Sequence, residues 1–248
     1  MEDKSMTLTE HLAELRRVII ISALALIAAT AITYFGFRDR LMAFLTRPMQ
    51  EMGYQLIFIT PWEAFFTTIK ACFYAAIFLA FPIIIWQVWS FILPALHRHE
   101  RRYLYIFTPF SIILFLLGTT FSYYVVFPLA IRFLLVVAGS GFQPMITVSR
   151  YISFVITFVL PFGLVFQLPL VVMLLTRLGL ITPRFLARKR KFAILIIFIL
   201  AAVLTPTPDV ISQLLMGLPM VILYEVSIWL SYLVQARHQA KAAEEGRT

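Results

Sequence analysis

The sequence predicts an all-α membrane protein: six transmembrane helices in a kinked, curved bundle, the last two helices short, with two structured external loops. Three observations lead there. Of the 248 residues, 61% are apolar and only 13% charged, whereas a soluble domain is usually about 45–50% apolar and about 25% charged. The apolar stretches run far beyond the ~10-residue alternating segments of a membrane barrel, and lipid offers a peptide group no hydrogen bond, so each crossing has to be a helix. Cys72 is the only cysteine, so neither an internal disulfide nor a zinc cage can hold the chain together.

The first helix is expected to begin before the membrane. Thr7-Leu8-Thr9-Glu10 has the spacing of a capping box, in which a hydroxyl and a carboxylate satisfy the open N–H groups of a helix start. Leu8, Leu12, Leu15 and Ile19 then form an apolar stripe, while Glu10, Glu14 and Arg17 share the polar face. Met1–Arg17 carries four acids and precedes a long apolar run, which speaks against a cleavable signal. Spans are expected at 17–37, 69–93, 103–128, 151–176, 192–205 and 210–233. They make one transmembrane domain over 1–235, followed by a cytoplasmic tail, 236–248, expected to be disordered.

Arg38–Thr68 and Leu129–Arg150 are too long for plain connections. Leu41, Phe44 and Leu45 in the first, and Ile131, Phe133, Leu134 and Leu135 in the second, predict short interfacial helices. Phe192–Leu204, at 13 residues, reaches roughly 20 Å at 1.5 Å per residue, short of a hydrocarbon core of ~30 Å. Val210–Tyr224 is interrupted by Glu225. This pair, joined by Thr205-Pro206-Thr207-Pro208-Asp209, has to thin the bilayer or be covered by other protein. Pro82, Pro109, Pro161, Pro169 and Pro219 fall inside spans, where each removes a backbone donor and bends its helix.

Orientation follows from Lys and Arg. One side holds fifteen of the 21: Lys4, Arg16 and Arg17; Arg98, Arg101 and Arg102; Arg177, Arg184, Arg188, Lys189, Arg190 and Lys191; and Arg237, Lys241 and Arg247. The other holds Arg38, Arg40, Arg47, Lys70, Arg132 and Arg150. The excess marks the cytoplasmic side and places both termini there, in agreement with an even number of spans. The net charge of +9 therefore needs no nucleic acid to explain it.

Enzyme signatures are missing. His11, His97, His99 and His238 fall at the cytoplasmic edge or in the tail, and there is no His-Glu-x-x-His, no Gly-x-Ser-x-Gly elbow and no Gly-rich phosphate loop with Lys. No catalytic residue, metal ligand or cofactor is expected. The informative groups are carboxylates. Glu14 either pairs with Arg17 at i,i+3 or is offered to a cationic partner at the membrane surface. In Pro94-Ala95-Leu96-His97-Arg98-His99-Glu100-Arg101-Arg102, the neighbouring cations favour an ionised Glu100, held as an internal ion pair or kept in register for a partner. If Glu14 and Glu100 converge, they can receive two guanidinium groups, each as a paired hydrogen-bond fork. Glu225, in the last span, is either a functional intramembrane carboxylate or one that snorkels to the headgroups; Gln213 lies near the start of that span.

In order along the chain, His11-Leu12-Ala13-Glu14-Leu15-Arg16-Arg17, Phe81-Pro82 leading to Trp86-Gln87-Val88-Trp89-Ser90-Phe91, Pro94-Ala95-Leu96 with His99-Glu100-Arg101-Arg102, Val126-Phe127-Pro128-Leu129 and Thr205-Pro206 through Pro208-Asp209-Val210-Ile211-Ser212-Gln213 resemble the TatC family. TatC is the polytopic subunit of the twin-arginine protein translocase. The resemblance implies a receptor on the cytoplasmic side of a bacterial-type inner membrane for the twin-arginine signal peptides of folded precursors. It assigns Glu14, Arg16, Arg17, Phe91, Pro94 and Glu100 to recognition, and Pro48 and Asp209 to assembly or function. It also implies single-span partners of the TatA and TatB type docking near the fifth helix, self-association in a larger complex, and transport driven by the proton-motive force without nucleotide or cofactor.

One position departs from the family pattern. In Phe162-Gly163-Leu164-Val165-Phe166-Gln167-Leu168-Pro169, many relatives carry Glu where this chain has Gln167, which can make a polar contact but cannot titrate. The rival reading from the residues is a proton-coupled small-solute transporter, which needs titratable groups around a midplane cavity; a passive membrane scaffold is a third.

Overall fold

The structure, a computed structural model, describes residues 8–92, 102–138, 144–205, 207 and 209–245. Five of its helical stretches are long and apolar enough to cross a membrane: Leu12–Glu51, Pro61–Ile92, Tyr105–Val137, Val148–Arg177 and Val210–Ala236. The chain forms two compact units, Met1–Ile113 with Met145–Ser153, and Leu114–Pro144 with Phe154–Thr248.

In the first unit, α1 (Leu8–Ile32) runs through a π-helical turn, Thr33–Phe37, directly into α2 (Arg38–Glu51). A span ending at 37 and a separate interfacial helix were the expectation. The helix instead continues, because no proline falls between 17 and 47 and Gly36 does not take up a positive φ. Thr30 and Thr33 return their hydroxyl protons to the Leu26 and Ala29 carbonyls at 2.7 and 2.8 Å, satisfying polar groups that lipid cannot serve. Beyond α2 the chain reverses at Gly53, whose φ of 81° favours a residue without Cβ.

The strand β1 (Leu56–Ile57) then pairs in parallel with β2 (Ile146–Thr147), Leu56 opposite Ile146 and Ile57 opposite Thr147. Next, α3 (Pro61–Ile92) starts at Pro61 rather than near 69. Proline suits a first helical position, and the Glu63 carboxylate accepts from the Ile59 N–H at 2.9 Å and from the Ser149 N–H at 3.3 Å. α3 packs on α1 through small residues, Ala29 against Ala76 and Ala80, with Ala25, Leu26 and Ile84 in the same cluster; small side chains let membrane helices approach closely. The next helix, α4 (Arg102–Phe121), is tied within this unit by the Trp89 indole N–H, which donates to the Ser111 hydroxyl at 3.1 Å.

In the second unit, the rest of α4 is followed by a π turn (Ser122–Val126), α5 (Phe127–Arg132) and a further π turn (Phe133–Ala138). The expected fourth span is two helices, α6 (Val148–Val165) and α7 (Leu168–Arg177), broken at Phe166–Gln167 just before Pro169. A short α8 (Pro183–Arg188) leads to α9 (Arg190–Leu204) and α10 (Val210–Glu245), which stays helical well beyond residue 236. At 15 residues α9 spans roughly 22 Å, and it falls below the length of the five long stretches.

The core of this unit gathers Phe158, Phe162, Met216 and Met220 with Val126 and Ile197. Here α4 and α6 touch backbone to side chain. A Cβ on Gly118 would lie 2.7 Å from the Phe162 carbonyl oxygen and 2.6 Å from the Phe166 ring, and a Cβ on Gly163 would lie 2.6 Å from the Phe115 ring.

Candidate functional site

One end of the first unit holds the start of α1 and the finish of α3. From Ala29, Glu14 is 15 residues back along α1, about 22 Å; from Ala80, Phe91 is 11 residues on along α3, about 17 Å. The antiparallel pair therefore brings Glu14 and Phe91 to the same end. Glu14 is half-buried, and its Oε2 is shielded from solvent, with no hydrogen-bond partner among the described residues. Arg16 and Arg17 are exposed, and among the described residues neither pairs with Glu14. The other face of α1 is apolar, with Leu12 63% and Ile19 58% exposed. A carboxylate oxygen that has lost water without gaining a donor is costly, and an incoming cation relieves that cost. Phe91 is half-buried at the last turn of α3. Pro94 and Glu100 lie outside the described residues.

Pro48 lies inside α2, half-buried beside the fully buried Met49. Proline removes one N–H from the helix ladder and pushes the preceding turn outward. In that turn the Leu45 carbonyl accepts a 2.8 Å hydrogen bond from the Tyr151 hydroxyl.

The remaining polar groups lie in the second unit. Asp209 is the N-cap of α10: its Oδ1 accepts from the Ser212 N–H at 2.7 Å, satisfying one of the open donors of the helix start. Burial alone pushes the Asp209 carboxyl up, but the Thr207 side chain and the Ser212 N–H draw it down, and it settles below the usual carboxylate range. Glu225 pairs with Arg190 at 2.9 Å, joining α10 to the first turn of α9, and the neighbouring Tyr224 hydroxyl donates to the Leu186 carbonyl at 2.9 Å. Gln213 donates its amide to the Phe198 carbonyl at 3.0 Å. Gln167 caps the break between α6 and α7: its carbonyl accepts from the Leu170 and Val171 N–H groups, both at 3.0 Å, and its side-chain amide oxygen is buried.

Sequence reasoning missed three features. The Glu63 link carries a visible signal, since Thr60-Pro61-Trp62-Glu63 has the capping-box spacing. The Tyr151–Leu45 bond and the reciprocal fit of Gly118 and Gly163 carry none, because both depend on which helix faces meet.

Large apolar side chains point outward along these helices, among them Phe35 at 85%, Val203 at 77% and Trp229 at 72% exposure. Water penalises such a surface and lipid does not, so the fold defines a multi-pass, all-α membrane protein. Residues 10–219 match the family model for TatC, described as Sec-independent protein translocase protein. The Sec-independent protein translocase protein TatC of Carboxydothermus hydrogenoformans is 48% identical over 237 residues, covering 96% of this chain and 97% of that one. The protein of the same description from Aquifex aeolicus is 40% identical, covering 92% and 95%. A crystal structure described as twin arginine translocase receptor TatC superposes with a TM-score of 0.82 at 39% identity, covering 91% of this chain and 100% of that one. The chain belongs to the TatC family of Sec-independent protein translocase subunits.

Proposed function

We propose that this chain is the receptor and core subunit of a twin-arginine translocase. It binds the twin-arginine signal peptides of folded precursors at the cytoplasmic face of a bacterial-type inner membrane. It also organises TatA/TatB-type single-span partners, within a larger self-associated complex, for export driven by the proton-motive force. Glu14 carries this reading. A carboxylate oxygen shielded from solvent and without a donor among the described residues, on a helix whose other face exposes leucine and isoleucine, suits a ligand that is both guanidinium and apolar. A twin-arginine peptide followed by its hydrophobic stretch has both properties, and the receptor description of the similar crystal structure supports the assignment.

Glu100 is the second carboxylate, from the segment that follows α3, with Phe91 and Pro94 as apolar contacts and Arg16 and Arg17 at the rim. Both termini lie in the cytoplasm, as the Lys and Arg excess favours. The short α9 is the sixth crossing, and with α10 it thins the bilayer where the single-span partners assemble. Pro48, Gln167, Asp209 and Glu225 hold the scaffold in shape. A proton-coupled solute transporter finds less support, because Asp209 caps a helix and Glu225 is paired with Arg190.

The test is site-specific photocrosslinking of a twin-arginine precursor. Glu14→Gln and Glu100→Gln should each weaken capture by about tenfold to a hundredfold, the value of a charge-assisted pair. Undiminished crosslinking in both variants rejects the site and leaves a passive scaffold. Four leucines added to α9 should impair transport; normal transport rejects the thinning role.

A further inference from the structure

The opposite end of α3 carries a different feature. A hollow of about 460 Å³ opens between the start of α3 and the start of α6, lined by Ile59, Trp62, Glu63, Phe66, Lys70 and Arg150 among others. Its charge is unbalanced. Glu63, the acid in its lining, spends both carboxylate oxygens on backbone N–H groups, Oε2 on Ile59 and Oε1 on Ser149. Lys70 donates to the Ser153 hydroxyl at 2.8 Å, and an ammonium has three donors, so two remain. The exposed Arg150 guanidinium has no partner among the described residues. Two cations thus face a hollow whose acid is already engaged.

The walls and depth narrow the ligand further. Ile59, Trp62 and Phe66 are 74%, 63% and 61% exposed, an apolar rim beside the two cations. With 32 residues, α3 is about 48 Å long, against a hydrocarbon core of ~30 Å. Its first two or so turns therefore stand in the headgroup layer, where Trp is favoured. Lys70 sits at the boundary, and long cationic side chains there reach toward phosphates.

We propose that this hollow binds the phosphate of an anionic phospholipid headgroup, Lys70 and Arg150 holding the phosphate and Trp62 and Phe66 lying against the glycerol and upper acyl chain. Lipid rather than a free oxyanion is the occupant, because the apolar rim is continuous with the membrane-facing surface of α3. The signal-peptide site is not involved, so either assignment can fail without the other.

The purified full-length protein in detergent is titrated with phosphatidylglycerol or phosphatidylcholine, and retained lipid is counted by native mass spectrometry. Phosphatidylglycerol should be preferred, and Lys70→Gln and Arg150→Gln should each lower that preference roughly fivefold, the worth of one cation near an anionic surface. The Lys70→Arg, Arg150→Lys double variant, which keeps both charges, should keep the preference, separating binding from misfolding. Inorganic phosphate at millimolar concentration should not displace the lipid. Equal retention of the two lipids, a preference untouched by both Gln variants, loss of the preference in the charge-keeping variant, or displacement by inorganic phosphate would each overturn the proposal.

Discussion

The Tyr151 hydroxyl donates a 2.8 Å hydrogen bond to the Leu45 carbonyl, 106 residues earlier in the chain. Tyr151 is only 2% exposed, so its hydroxyl has little recourse to water. The bond fastens the turn ahead of Pro48 to the start of the helix carrying Tyr151, and gives Pro48 a concrete setting. Tyr151→Phe keeps the ring and deletes only the donor. It should destabilise the protein by about 0.5–1.5 kcal/mol, read as an earlier thermal unfolding midpoint in detergent.

Three helical glycines should rank by what surrounds them. Gly118→Ala puts a Cβ 2.7 Å from a backbone oxygen, and Gly217→Ala puts one 2.9 Å from the Phe198 ring edge. Backbone cannot step aside and a side chain can, so Gly118→Ala should cost more, about 1–3 kcal/mol for an overpacked core. Gly36→Ala meets nothing within 4 Å and should be neutral or stabilising by up to about 1 kcal/mol, as alanine is the better helix former. Unfolding midpoints of the three variants check the order.

Asp209 should make stability depend on acid. Its folded-state pKa lies below the ordinary value, so its contribution is complete above the unfolded pKa of about 4 and is lost as pH falls through the folded value. Asp209→Asn keeps an N-cap but cannot titrate, and should flatten that part of the stability profile. Asp209→Ala should also lose the cap, about 0.5–2 kcal/mol at neutral pH.

The Arg190–Glu225 pair, at 2.9 Å but 47% and 36% exposed, should be worth little. A double-mutant cycle with Arg190→Gln and Glu225→Gln should return a coupling of about 0–1 kcal/mol. A much larger coupling would mean the pair is buried in the working complex.

The helical class and the short α9 were legible in the sequence, because each rests on apolar run length; Asp209 stood out only through the family resemblance, and its place as a helix cap came from the structure. Helix continuity from α1 into α2 was not. Arg38-Asp39-Arg40 marks where apolar character stops, but leaving the hydrocarbon does not break a hydrogen-bond ladder. The Glu14 neighbourhood was legible as a stripe of Leu12, Leu15 and Ile19 beside an acid, whereas the enclosure of its Oε2 depends on tertiary packing. Gln167 was legible as a polar group in an apolar span, but its place at a helix break followed only from the arrangement of Pro169 and the turn before it.

The parallel pairing of Leu56 with Ile146 imposes a schedule on biosynthesis. The first strand leaves the ribosome ninety residues ahead of its partner, which at about 5–20 residues per second is a wait of roughly 5–20 s. Throughout it the Leu56–Ile57 edge stays unmatched, and Glu63 is without its Ser149 donor. A nascent chain stalled before residue 146 should therefore expose this stretch to protease, and one released after 153 should shield it.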